Sequence, residues 1–166
     1  AKLFRSLKKG LEKEPQKFKK VRVYFIGTSY APAGQAKQTI MPVAEEFGVN
    51  NMVTEITDRI SYFHTLATLQ QADALFIPGS DDPRYTASKI YPYLLTEKPL
   101  LAIFHPESPA IEVLKEFGLE HVYNFENSAE TDEQIFDFLT QLVEGTLVSP
   151  KLNIEAEKKY SAENMT

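Results

Sequence analysis

From Val21 to Glu144, short apolar runs alternate with segments of helical period, and this order restricts the fold more than any other feature. The runs are residues 21–26, 52–56, 74–77, 100–104 and 121–125, each closed by glycine, proline or polar turn residues. Between them, residues 33–47 carry Ile40, Val43, Ala44 and Phe47 on one side, and Pro42 requires that helix to start late or kink. Residues 60–71 and 86–96 read as two further helices. Ser108 caps the next, with Pro109 at its first position and Gly118 as its stop. A last core helix opens at Thr131 and turns Ile135, Phe138, Leu139 and Leu142 inward.

Strict alternation with short turns defines an α/β chain. The expectation is one Rossmann-like parallel sheet of about five or six strands with helices on both faces. Right-handed crossovers place the strand-to-helix loops on one edge, where such sheets bind ligands. Those loops are residues 27–34, 56–61, 78–88 and 105–109.

Ahead of this core, Leu3, Phe4, Leu7 and Leu11 recur at helical spacing among Arg5, Lys8 and Lys9, predicting a basic amphipathic helix to about Glu14. Gly10 weakens it and Pro15 breaks it. Its cations are read as a solvated face, or one that packs against a domain outside this sequence. Attachment to a membrane surface through them is left open. The expected division is a basic helix and linker over 1–20, a Rossmann-like α/β domain over 21–150, and a truncated tail over 151–166. Because the chain opens without Met directly into a helical pattern, it reads as an excised fragment.

At 166 residues, 43% hydrophobic and 25% charged, the chain has material for one sizeable core. Its net charge of -5 argues against a general nucleic-acid-binding surface, although half of its lysines and arginines fall within residues 2–22. Absence of cysteine excludes disulfides, thiolate metal sites and cysteine nucleophiles, and fits a reducing cytoplasm. No apolar run approaches the roughly 20 residues of a membrane span, and the N-terminus lacks a signal-peptide core.

Four stretches carry possible chemistry. Gly27 and Thr28 open a turn after the first strand that could offer backbone N–H groups to a phosphate. It is neither a dinucleotide fingerprint nor a P-loop. Asp58-Arg59-Ile60 ends the second strand unit, where Arg59 could clamp phosphate or stack on a base, or else pair with Asp58 or Glu55. The loop Ser80-Asp81-Asp82-Pro83-Arg84-Tyr85 leads to Ser88-Lys89, placed to hold an anion at a helix start or simply to cap it. His105 follows the fourth strand. His64, His105 and His121 show no metal-ligand spacing, and neither a metal nor a cofactor is expected.

Residues 62–109 resemble the donor-binding half of GT-B glycosyltransferases of the retaining, glycogen-synthase-like superfamily. The ordered features are Leu69-Gln70-Gln71-Ala72-Asp73, Pro78-Gly79-Ser80, Ser88-Lys89-Ile90-Tyr91-Pro92-Tyr93-Leu94 and Glu97-Lys98-Pro99-Leu100-Leu101-Ala102. A looser likeness covers residues 21–144. The resemblance implies a C-terminal Rossmann-like domain that binds a UDP- or GDP-sugar, with the acceptor held by an N-terminal domain absent here. It implies that Gly27, Thr28, Ser88 and Lys89 lie near the diphosphate and that Arg59 and Ile60 lie near the base. Asp81, Asp82, Arg84 and Tyr85 would face the sugar and ribose. Where many relatives have two glutamates eight positions apart, this chain has Arg84 and Pro92, and a proline side chain cannot accept ribose hydroxyl hydrogen bonds. An α/β interaction module and a sugar-nucleotide epimerase of the same fold stand as alternatives.

Overall fold

A computed structural model describes residues 1–32, 34–80, 82–85, 90–126 and 128–160. The chain is α/β, and every strand pairing is parallel. It divides into two compact units, Ala1–Ala67 with Asp132–Thr146, and Thr68–Thr131 with Leu147–Thr166. The single sheet expected from the alternation is not seen: the five described strands pair in two sheets, one of two strands and one of three. Alternation dictates that successive strands run parallel through crossovers. It carries no information about which strands lie side by side.

In the first unit, β1 (Val23–Ile26) pairs with β2 (Val53–Ile56), Val23 opposite Val53 and Ile26 opposite Ile56. Helix α3 (Met41–Glu46) starts late, with Pro42 in its first turn where a missing N–H costs nothing. A 3-10 turn, Asn50–Met52, feeds β2.

Helix α1 (Lys2–Lys13) buries Leu3, Phe4 and Leu7 and leads into the short α2 (Pro15–Phe18). Phe4 meets the Phe25 ring edge-on at 6.0 Å, and Phe18 stacks on Phe136 at 5.9 Å. Gly10 is a packing requirement here, because a Cβ at that position would lie 2.1 Å from the Phe18 ring. Three cations of α1 find carboxylates on another helix, while Lys8 and Lys13 are exposed. Lys2 and Arg5 pair with Asp132, Lys9 pairs with Glu133, and the Ser6 hydroxyl donates to the Asp132 carbonyl at 3.2 Å. Asp132 and Glu133 lie on α7 (Ser128–Glu144), so these ion pairs form within one unit.

The second unit is built on β3 (Leu75–Ile77), β4 (Leu100–Phe104) and β5 (Val122–Asn124), in that order. All residues of β4 are buried, as a strand covered on both faces requires. Each of its large side chains contributes about 1.5–3 kcal/mol by burial. Helices α5 (Ile90–Leu94) and α6 (Pro109–Glu116) pack Ile90, Leu94, Ala110 and Leu114 into the same core.

Residues 147–160 belong to this unit. In α8 (Ile154–Lys159) Ala156 is buried, and Tyr160 lies against Tyr91 and Phe117 with its hydroxyl donating to Glu116 at 3.0 Å. Between α4 (Tyr62–Gln71) and the other helices, no described helix is long and apolar enough to cross a membrane.

Candidate functional site

At the carboxyl ends of β1 and β2, the first unit opens a shallow cleft of about 230 Å³ lined by Ser29, Tyr30, Ala31, Asp58 and Arg59. Arg59 directs its guanidinium over the Tyr30 ring, with Cζ 3.9 Å from the centroid. Among the described residues it forms no ion pair with Asp58 or Glu55. Asp58 instead accepts the Gly34 N–H at 3.3 Å through Oδ1. Ile60 is half-buried beside it in sequence. The cleft thus presents a cation seated on an aromatic ring and a carboxylate with one oxygen unused among the described residues.

Gly27 takes φ +74°, a conformation that glycine adopts without Cβ strain. Its N–H donates to the Ile56 carbonyl at 2.8 Å, the Ser29 N–H to the Thr57 carbonyl at 3.2 Å, and the Ala31 N–H to Ser29 Oγ at 3.0 Å. The parallel ladder therefore runs on past the strands and takes up donors that a phosphate cradle would need. Thr28 is equally engaged, donating from Oγ1 to Glu55 at 2.8 Å.

Glu55 is a residue that sequence reasoning passed over. It sits on β2, only 7% exposed, and accepts from four donors: Thr28 Oγ1 and Thr39 N on one oxygen, Ile40 N and Met41 N on the other, at 2.8–3.1 Å. Burial pushes its carboxyl up, but the Met41, Thr28, Thr39 and Ile40 hydrogen bonds outweigh that and hold it below the ordinary value. It satisfies exposed N–H groups at the start of α3 and pins both ends of the loop carrying Tyr30. A glutamate flanked by Thr54 and Ile56 in a strand was the available signal, since a charge on a buried strand face demands partners.

In the second unit, the loop after β3 is laced by its own backbone. Asp82 N–H donates to Ser80 Oγ at 3.1 Å, Arg84 N–H to Asp82 Oδ1 at 2.9 Å, and Tyr85 N–H to the Asp82 carbonyl at 3.1 Å. Tyr85 stacks on Phe104, ring centroids 6.3 Å apart. Buried Ser108 Oγ donates to the Tyr85 carbonyl at 2.9 Å and accepts the Ala110 N–H at 3.3 Å, so the cap of α6 also anchors this loop. His105 donates its backbone N–H to the Ser80 carbonyl at 3.2 Å, and its Nδ1 accepts the Glu107 N–H at 3.2 Å. That contact leaves the ring proton of a neutral His105 on Nε2.

The chain matches no family model, no curated protein and no solved structure.

Of the residues singled out from sequence, Gly27, Thr28, Arg59 and Ile60 belong to the first unit, and Asp82, Arg84, Tyr85 and His105 to the second. Asp81, Ser88 and Lys89 lie outside the described residues. Among the described residues no cluster of histidines and carboxylates is placed to hold a metal ion.

Proposed function

We propose that the chain is the nucleotide-sugar-binding domain of a GT-B glycosyltransferase, a Rossmann-like half whose donor is a UDP- or GDP-sugar. The observation that carries this reading is the cleft at the carboxyl ends of β1 and β2, where Arg59 rests on Tyr30 with no carboxylate partner among the described residues. Ligands of open parallel sheets bind at that position. A guanidinium freed from ion pairing is suited to a base or a phosphate. The ordered likeness of residues 62–109 to the donor-binding half supports the same reading. The nucleoside diphosphate leaves with negative charge, and donors already in place lower the barrier to that departure. Ser88 and Lys89 are assigned that work, and Arg59 is assigned to the base. The general base for the acceptor belongs to a domain outside this sequence, so the chain alone binds donor and transfers nothing.

A second reading, a non-enzymatic interaction module, draws on exposed aromatics: Tyr30 is 84% exposed, Tyr62 64% and Phe63 79%. Thermal-shift titration with UDP, GDP and their sugars separates the two. Donor binding raises the melting temperature with ligand concentration. No stabilisation by any of them at millimolar concentration would remove the donor reading and leave the interaction module.

A further inference from the structure

The cleft in the first unit contains a carboxylate as well as a guanidinium, and that pairing of functions carries information about the ligand. Asp58 and Arg59 both line it. A carboxylate repels a diphosphate at short range, so the cleft is suited to a neutral, planar, polar group in place of the phosphates. Asp58 Oδ1 accepts the Gly34 N–H at 3.3 Å, and among the described residues the Oδ2 of this cleft-lining side chain takes no hydrogen bond. Arg59, seated 3.9 Å over the Tyr30 ring, supplies a platform of the kind on which nucleobases stack.

Resting on the donor-binding reading, we propose that this cleft selects guanine, with Asp58 as the specificity-determining residue. Guanine carries two adjacent donors, N1–H and the N2 amine, which one carboxylate accepts together. Uracil offers a single ring N–H flanked by two carbonyl oxygens, which a carboxylate repels. Adenine and cytosine present an exocyclic amine next to an unprotonated ring nitrogen. The two oxygens of Asp58, Oδ1 through the lone pair that the Gly34 N–H leaves, therefore gain from guanine and are penalised or poorly used by the other bases. Arg59 supplies stacking that is tolerant of base identity, and Asp58 supplies the discrimination.

The test is a calorimetric titration of the chain with GDP, IDP, UDP and ADP, repeated on Asp58→Asn. IDP is guanosine diphosphate without the N2 amine and isolates the proposed contact. GDP is expected to bind roughly tenfold tighter than IDP or UDP, the discrimination of one good bidentate contact. Asp58→Asn is expected to weaken GDP most and IDP less, because IDP keeps the N1–H, and to remove the preference for GDP over UDP. The amide oxygen of the variant can still accept the Gly34 N–H, so its melting temperature without nucleotide should match the parent. Equal affinity for GDP and UDP, or a preference for GDP that survives Asp58→Asn, would overturn the assignment. Binding of UDP without preference removes guanine and leaves donor binding standing. Binding of no nucleoside diphosphate removes both.

Discussion

Two strands of this molecule end in a glycine held at positive φ, and the two turns are built on opposite principles. Gly27 follows β1 at φ +74°, and a Cβ there would meet nothing closer than Arg59 Cγ at 3.7 Å. Gly79 follows β3 at φ +59°, and its Cβ would fall 1.9 Å from the Ile103 carbonyl oxygen of the buried strand β4. At Gly79 the absent side chain lets two backbones touch. At Gly27 it only permits a bend, and the space left over is the cleft of Tyr30 and Arg59. A turn closed by packing anchors a core, whereas a turn held by hydrogen bonds leaves room for a ligand.

The sharpest way to break this comparison is Gly79→Ala. The methyl group has to displace the backbone of a strand whose residues are all buried, in addition to the strain of positive φ. A loss of about 3–5 kcal/mol is expected, from overpacking and left-handed strain together. Urea denaturation of parent and variant measures it. A loss below about 1 kcal/mol would mean that β3 and β4 do not approach as described.

Next in size is the carboxylate that holds the open turn. Glu55→Gln exchanges one acceptor oxygen for an amide NH2 that points either at Thr28 and Thr39 or at the N–H groups of Ile40 and Met41. The expected loss at pH 7 is about 2–4 kcal/mol, since hydrogen bonds to a buried charge are the strong ones. The folded carboxyl titrates below its ordinary value of 4.5. The unfolded chain therefore binds the proton first as pH falls, and the stabilisation is complete above about pH 5 and disappears as pH drops through the folded pKa. Parent and variant should differ most at neutral pH and converge in acid. A difference that stays constant from pH 7 to pH 3 would show that Glu55 acts by packing and not by charge.

These two residues mark what the sequence made legible. Gly79 after an apolar run announces a strand end, and the β4 run Leu100–Phe104 reads as a strand buried on both sides because it lacks any polar alternation. Ser108 with Pro109 announces a helix start, and the cap forms as the residue types require. What escaped depends on contacts distant in sequence. Gly10 looks like a weak point until Phe18 is seen against it, and Glu55 looks like surface charge until residues 28 and 39–41 converge on it. The short α8 carries too little local signal to specify a docked helix. Its place is set by Tyr91, Phe117 and Glu116, which the fold brings to it. For the site, Arg59 was legible as an exposed cation after a strand. Its seat on Tyr30 was not, because the intervening loop has no period to read.

Gly27→Ala is the smallest change and the one that tests the open turn most directly. No atom blocks the new methyl group, so the cost is the positive φ alone, about 1–2 kcal/mol. That is well under the loss expected at Gly79, and the ratio of the two is the measure of open against closed. The added carbon would lie 3.7 Å from Arg59 Cγ, an ordinary contact that leaves Arg59 on Tyr30 if the backbone stays put. The chain can instead relieve the strain by rotating φ, which breaks the Gly27 N–H bond to the Ile56 carbonyl and shifts the wall of the cleft. Denaturation and GDP titration on the same variant separate these outcomes. A loss of about 1–2 kcal/mol with affinity retained means the turn holds its shape and bears the strain. A smaller loss with weakened affinity means the turn relaxes, and that the cleft depends on a glycine whose role is conformational, with no side-chain space to protect.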